Sequence, residues 1–332
     1  MTVEGCEVPC TCSQTARARS RAARAPGRSP RSRQDRLAPG GVAMGGSAGL
    51  PVGDVVNTAR YRLFAPESAG WRKVVGQARD ELRLRRCTVL ADFIRPELVD
   101  TLREECAAVA PLAHSDVEVV NAYNIDVKTP LPADHPGRTT MIRGNAFVAR
   151  DQIPAAAIIS QLYTSPLFQH FIATCFGYPE VHELADPLSG LCVNVIDPGR
   201  SHPWHFDTNE FTASMLTQES AAGGIFEYCP SIRSTTSENF DAVRAVLAGH
   251  GAELVQRLTL RPGDLQLFHG RYSLHRVSTV QGDVARHSAI FAYSERPGVI
   301  GTVARTKQLF GRVLPEHLAA EKERTKVDQL LD

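Results

Sequence analysis

Nowhere in the 332 residues does an uninterrupted apolar run approach the ~18 that a bilayer-crossing helix needs, so no membrane span and no membrane partner are expected. Charge of one sign is lacking too: 37 Lys and Arg stand against 36 Asp and Glu. From residue 51 onward 29 basic residues face 33 acidic ones, which offers no basic groove and argues against a nucleic-acid partner. Residues 1–50 contain no Ile, Phe, Tyr or Trp, and their eight Arg outnumber Glu4, Glu7 and Asp35. Such a segment cannot bury enough apolar surface to offset its ordering entropy, so residues 1–54 read as a disordered basic leader. It has no amphipathic stripe for a transit peptide, no aromatics to stack on bases, and no second ligand pair to complete a metal knuckle with Cys6, Cys10 and Cys12. Met44, just ahead of the first patterned segment, suggests an upstream extension or an over-long start. No secretory h-region is present either. The other five cysteines (87, 106, 175, 192, 229) are irregularly spaced in apolar sequence and read as reduced core thiols of a cytoplasmic protein.

What is present is a globular body, read as one domain over residues 55–332. Helical spacing runs from Trp71 to Arg86, then a short strand at Cys87–Leu90 and a helix opened by Pro96 with Leu98, Leu102 and Cys106 on one face. Val117–Tyr123 and Met141–Val148 read as strands, and Ile153–Tyr163 and Pro166–Phe176 as helices. After residue 185 the texture changes to short β-like runs at Leu191–Ile196, Phe211–Thr217, Gly224–Cys229, Leu254–Leu260, Asp264–Phe268, Leu274–Val280 and Ser288–Tyr293, broken once by a helix at Phe240–Leu247. Closely spaced strands with turn signals predict a sandwich or double-sheet jelly roll, an α+β fold with the earlier helices covering one outer face.

The chemistry gathers in His202-Pro203-Trp204-His205-Phe206-Asp207. On a strand His205 and Asp207 project to the same side, supplying two of the three ligands of a facial triad. His275 is the expected third ligand. Arg286 lies eleven residues beyond it, one tight turn away, and alternates with Ser288 onto one face to form a guanidinium-and-hydroxyl clamp for a carboxylate. His269 would put Arg286 too far away for that return, and His287 alternates off the face.

In this order and spacing (His205, Asp207, His275, Arg286, Ser288) the sequence resembles the Fe(II)- and 2-oxoglutarate-dependent dioxygenases over roughly residues 85–295. The string from Asp186-Pro187-Leu188 through Asn194 to Thr208-Asn209 is similar to the branch of small bacterial oxygenases and radical halogenases that act on free amino acids, often in secondary metabolism. The resemblance implies a double-stranded β-helix (cupin-like) core with N-terminal helices on one sheet. It also implies Fe(II) on His205, Asp207 and His275, and 2-oxoglutarate gripped by Arg286 and Ser288 with Asn194 as a further donor. Dioxygen is the oxidant, and ascorbate the expected reductant in vitro. Halogenases of that branch carry Gly or Ala at the triad carboxylate; this chain keeps Asp207, which favours hydroxylation.

Substrate-side candidates carry a plainer reading beside the functional one. Arg143 is either a carboxylate anchor or a structural ion pair. Asp186 takes a substrate ammonium or caps a turn. Trp204, Thr208, Asn209 and His202 line the pocket or simply pack. The expected substrate is a small polar molecule, and a homodimer is the one protein partner entertained. Desaturation or cyclisation at the same iron, and a non-catalytic jelly-roll binder of a metal or small acid, are the competing functions.

Overall fold

The computed structural model describes residues 49–324. Expectations for the leader before residue 49 therefore lie outside the described residues. Residues 49–54, assigned by sequence to that leader, are described: Val52–Val55 is a short helix and Val55 is fully buried, so the ordered body starts earlier than residue 55.

The protein is a mixed fold of helices and antiparallel sheets. Six strands form the larger sheet in the order Cys87–Leu90, Leu265–Phe268, Thr212–Gln218, Arg286–Phe291, Leu191–Ile196 and Ala146–Val148. A second sheet of four runs Gln256–Leu258, Phe226–Cys229, Leu274–Val277, His202–His205.

Alternation along the larger sheet divides its residues into two sets. Leu191, Val193, Val195, Ala213, Met215, Leu265, Leu267, Ala289 and Phe291 join one apolar core with Trp71, Leu102, Phe168 and Phe171 from the helices. Each such large side chain contributes about 1.5–3 kcal/mol by leaving water, which is what seats the helices on this sheet. The residues between them (Asn194, Arg286 and Ser288 among them) face the other way. There the two sheets meet, with Phe268 of the larger against Phe226 and His275 of the smaller at ring-centroid distances of 5.3 and 4.8 Å.

The helices start and stop for local reasons. Ala69–Arg85 begins where the Ser68 hydroxyl accepts from Trp71 N, buries Trp71, Val75, Ala78 and Leu82 along one stripe, and ends at left-handed Arg86. Pro166–Phe176 has a Ser165 cap, Pro in the first turn and a left-handed Gly177. The helix expected over Ile153–Tyr163 forms only from Ile158, whose N–H is capped by Glu105 of another helix at 2.8 Å. Two helices after the last sheet strand, Val303–Phe310 and Pro315–Arg324, have no counterpart in the sequence reading. Among the described residues no helix is long and apolar enough to cross a membrane.

Candidate active site

The strands His202–His205 and Leu274–Val277 pair antiparallel with His275 opposite His205, which brings the two imidazole centroids to 4.1 Å. Each ring is oriented by its own backbone. His205 Nδ1 lies 2.8 Å from the Pro203 carbonyl and His275 Nδ1 lies 2.9 Å from that of Ser273. Only an N–H satisfies a carbonyl, so both Nδ1 atoms donate and both Nε2 lone pairs are left for a metal.

The expected alternation of His205 and Asp207 along one strand is not how Asp207 arrives. The strand ends at His205, and Asp207 follows it with its N–H donating to the Gly270 carbonyl at 3.2 Å. Its Oδ1 nonetheless sits 3.7 Å from His205 Nε2 and 3.5 Å from His275 Nε2, while Oδ2 accepts from the Thr212 hydroxyl at 2.9 Å. One ligand atom from each of the three residues lies within 4.8 Å of the others, and among the described residues no other group of His, Cys, Asp and Glu gathers this way. His269, edge-on to Phe176, and His287 are outside it.

Burial sets the protonation of these groups. It pushes His205 down to about 3, with the His275 charge adding to the effect and Asp207 opposing it. Burial alone would raise the Asp207 carboxyl, but His275, His205 and the Thr212 hydroxyl overcome it and hold Asp207 well below the ordinary carboxylate range. His202, whose ring stacks on His205 at 3.9 Å, is driven well down by burial and by both neighbouring imidazoles.

On the larger sheet Ser288 pairs with Asn194 and Arg286 with Ile196. Arg286 is 5% exposed, reaches Ser288 Oγ at 3.4 Å, and forms no ion pair among the described residues. Desolvation lowers it only to about 10, so it stays cationic at neutral pH: a buried guanidinium without its counter-charge. Asn194 is buried beside it in sequence register and accepts from Asn145 Nδ2 at 2.8 Å.

The substrate-side candidates separate clearly. Arg143 is engaged, its Nη2 2.7 Å from Glu118 Oε2 and 3.4 Å from the Gln308 carbonyl, which is the structural ion pair. Asp186 is fully buried and accepts from the N–H groups of Leu188, Ser189 and Gly301 at 2.8–2.9 Å, so it ties a turn to a distant segment rather than facing a ligand. Trp204 packs into an apolar cluster with Phe206, Cys229, Ile232 and Val243 under the Arg276 guanidinium. Thr208 and Asn209 are exposed, and the Thr208 carbonyl accepts from Arg271. Of this set, His202 alone contacts a triad ring.

Two participants escaped the sequence reading: the Thr212 hydroxyl and Gly270, which shape the Asp207 carboxylate.

Solved structures sharing a partial likeness include an oxidoreductase of the 2OG-Fe(II) oxygenase family from Burkholderia pseudomallei (16% identity, 68% of this chain and 92% of that one, TM-score 0.43). Others are the alpha-ketoglutarate-dependent carbocyclase SnoK from nogalamycin biosynthesis (16%, 72% and 91%, 0.46) and a Pseudomonas putida prolyl-4-hydroxylase (15%, 65% and 97%, 0.41). No curated protein sequence matches the chain. The family model described as Halogenase D matches residues 71–306, from the first long helix through the triad to Arg305 and Thr306, and the chain belongs to that family.

Proposed function

We propose that this protein is a non-heme Fe(II)- and 2-oxoglutarate-dependent oxygenase that hydroxylates a C–H bond of a small polar substrate, a free amino acid or close derivative of secondary metabolism. The observation that carries the reading is the meeting of two independent features: a His–Asp–His trio with both Nε2 atoms free, and an unpaired buried guanidinium on the facing sheet. The donor set fits Fe(II): two neutral imidazoles and one ionised carboxylate leave octahedral positions open for a bidentate cosubstrate and dioxygen. The two-sheet core is accordingly read as a double-stranded β-helix.

Iron with 2-oxoglutarate and dioxygen would supply oxidising power through decarboxylation of the cosubstrate to succinate. The chain's own part is placement. The Pro203 and Ser273 carbonyls aim the two imidazoles, and Thr212 fixes the carboxylate. Arg286 and Ser288 offer a charge-assisted grip to the far carboxylate of the cosubstrate. The surrounding Phe226 and Phe268 rings beside His275 keep water from that flank. Asp207 favours hydroxylation over halogenation, because a third protein ligand fills the position that a halide would take.

Anaerobic addition of Fe(II) and 2-oxoglutarate is expected to raise a visible charge-transfer band that His205→Ala abolishes, and aerobic turnover with amino acids is expected to release succinate. No band and no succinate would leave the non-catalytic binder standing instead. A band with an unsaturated or cyclised product would support the desaturation and cyclisation reading.

A further inference from the structure

The strand Ala146–Val148 ends the larger sheet, antiparallel to Leu191–Ile196, with Ala146 opposite Val195 and Phe147 opposite Asn194. Ala146 and Val148 join the apolar core shared with the helices, so Phe147 faces the other way, toward the smaller sheet. There its ring meets that of His202 edge-on at 6.5 Å, and His202 stacks on His205. Asn145 immediately precedes this strand and turns to the same side. Its Nδ2 donates to Asn194 Oδ1 at 2.8 Å, joining two side chains that are only 2% and 4% exposed.

That bond fixes which end of the Asn194 amide is left over. The oxygen is taken by Asn145, so the NH₂ is the free end, and among the described residues no protein group accepts from it. Asn194 sits directly opposite Ser288 across the strand pair, and the Ser288 hydroxyl accepts from Arg286 Nη1 at 3.4 Å. Asn194 thus stands in the same row as the guanidinium and the hydroxyl, with its own donors unspent. Reversed, the amide would leave an oxygen free instead, which suits the empty guanidinium and repels a carboxylate.

Asn145 holds this orientation at the expense of its own hydrogen bonding. Its Oδ1 is buried and has no partner. A buried acceptor left unpaired destabilises a fold, and an apolar side chain of similar size would not carry that penalty. Fold stability therefore gives no reason for an amide at this position. Among the described residues the one hydrogen bond its side chain makes is the bond to Asn194.

We propose that Asn145 is a positioning residue for the cosubstrate subsite: by donating to Asn194 Oδ1 it keeps the Asn194 NH₂ available to the carboxylate that Arg286 and Ser288 grip. This rests on the oxygenase reading above. The subsite then consists of a cation, a hydroxyl and an oriented amide, and the amide is a dependable donor only while Asn145 holds its other end. Asn145 acts through Asn194, so its contribution disappears when Asn194 is removed.

The test reads binding rather than turnover, on the full-length protein. Anaerobic Fe(II) protein is titrated with 2-oxoglutarate by its charge-transfer band, and Mn(II) affinity and a metal-free melt are recorded alongside. Asn145→Ala is expected to weaken 2-oxoglutarate by roughly tenfold, the scale of one hydrogen bond to a charged group, with Mn(II) affinity unchanged. Asn194→Ala is expected to show a similar loss, and the double variant no further loss, because the two residues act as one unit. If Asn145→Ala melts early, Asn145→Ser, which retains a small donor, takes its place in the same cycle with a smaller expected loss. Unchanged 2-oxoglutarate affinity in the Asn145 variant, an equal loss of Mn(II) affinity, or losses that add in the double variant overturn the assignment of Asn145 while the oxygenase reading stands. Absence of the band in the native protein overturns both.

Discussion

A β-carbon placed on Gly270 would overlap the Asp207 Oδ2 atom, and the same residue's carbonyl accepts the Asp207 N–H. The turn leading into the His275 strand therefore makes room for the triad carboxylate by having no side chain there. Gly270→Ala is expected to push Asp207 off its position and weaken divalent-metal binding by roughly 10–100-fold, the range seen when ligand-orienting groups are lost. Titration with Mn(II) or Co(II) reads this, and a thermal melt of the metal-free protein should be nearly unchanged. Unaltered metal affinity would show that the carboxylate has room to spare.

Arg286 presents the opposite balance of stability and binding. A buried guanidinium with only Ser288 as partner costs the apo fold free energy, since its desolvation is uncompensated by an opposite charge. Arg286→Met should therefore melt at or above the temperature of the native apo protein while losing 2-oxoglutarate affinity by roughly tenfold or more. Calorimetric binding of 2-oxoglutarate alongside the melt separates the two effects. A variant that unfolds early would mean the guanidinium is a structural element after all.

The alternation of Arg286 and Ser288 along one strand was legible in sequence, but two simpler strand expectations fail: Asp207 lies past the end of its strand, and the His275 and Arg286 strands belong to different sheets with Val280–Gln281 between them rather than to one tight return. The helices Ala69–Arg85 and Pro166–Phe176 were also readable, the first from its periodicity and the second from Pro166 at its start and Gly177 at its end. What stayed hidden depends on long-range partners. Glu105 sets the start of the Ile158 helix from another helix altogether. Gly270 meets Asp207 only once segments far apart in sequence come together, whereas Thr212, five residues on, lies within local reach of it. Asp186 looked equally suited to a ligand or a turn until Gly301 was found on its second oxygen.

Asp186 gives a pH-dependent prediction with a definite sign. Burial raises its carboxyl, but the N–H groups of Leu188, Gly301 and Ser189 outweigh burial and hold it below the ordinary value. A depressed folded-state value means that the stabilisation is complete above the unfolded carboxylate value of about 3.9 and fades as pH falls through the folded one. Asp186→Asn should lose about 1–3 kcal/mol at pH 7, because the amide NH₂ that replaces Oδ2 cannot accept from Gly301 N–H or from the buried His317 Nε2 3.2 Å away, and its stability should fall less steeply toward acid. Urea unfolding at pH 7 and at about pH 3, inside the window where the native stabilisation fades, measures both. An Asp186→Asn protein of native stability but raised KM would return this residue to the substrate site.

The five described cysteines are free and buried, and their reactivity follows from that placement. Burial pushes Cys87, Cys106, Cys192 and Cys229 up to about 12, and Cys175 rises as well. At pH 8 a thiol of that kind is ionised to only about one part in ten thousand, and the thiolate is the species that alkylates. Iodoacetamide should therefore label these positions slowly in the native protein and fully in urea, as read by mass mapping. Cys229 lies in the apolar cluster with Trp204, on the strand paired to His275, so it also reports on the site. Native labelling confined to Cys229 would reveal opening of the smaller sheet next to the distal histidine, and metal should suppress it, because a ligand bound to His205 and His275 holds their two strands together.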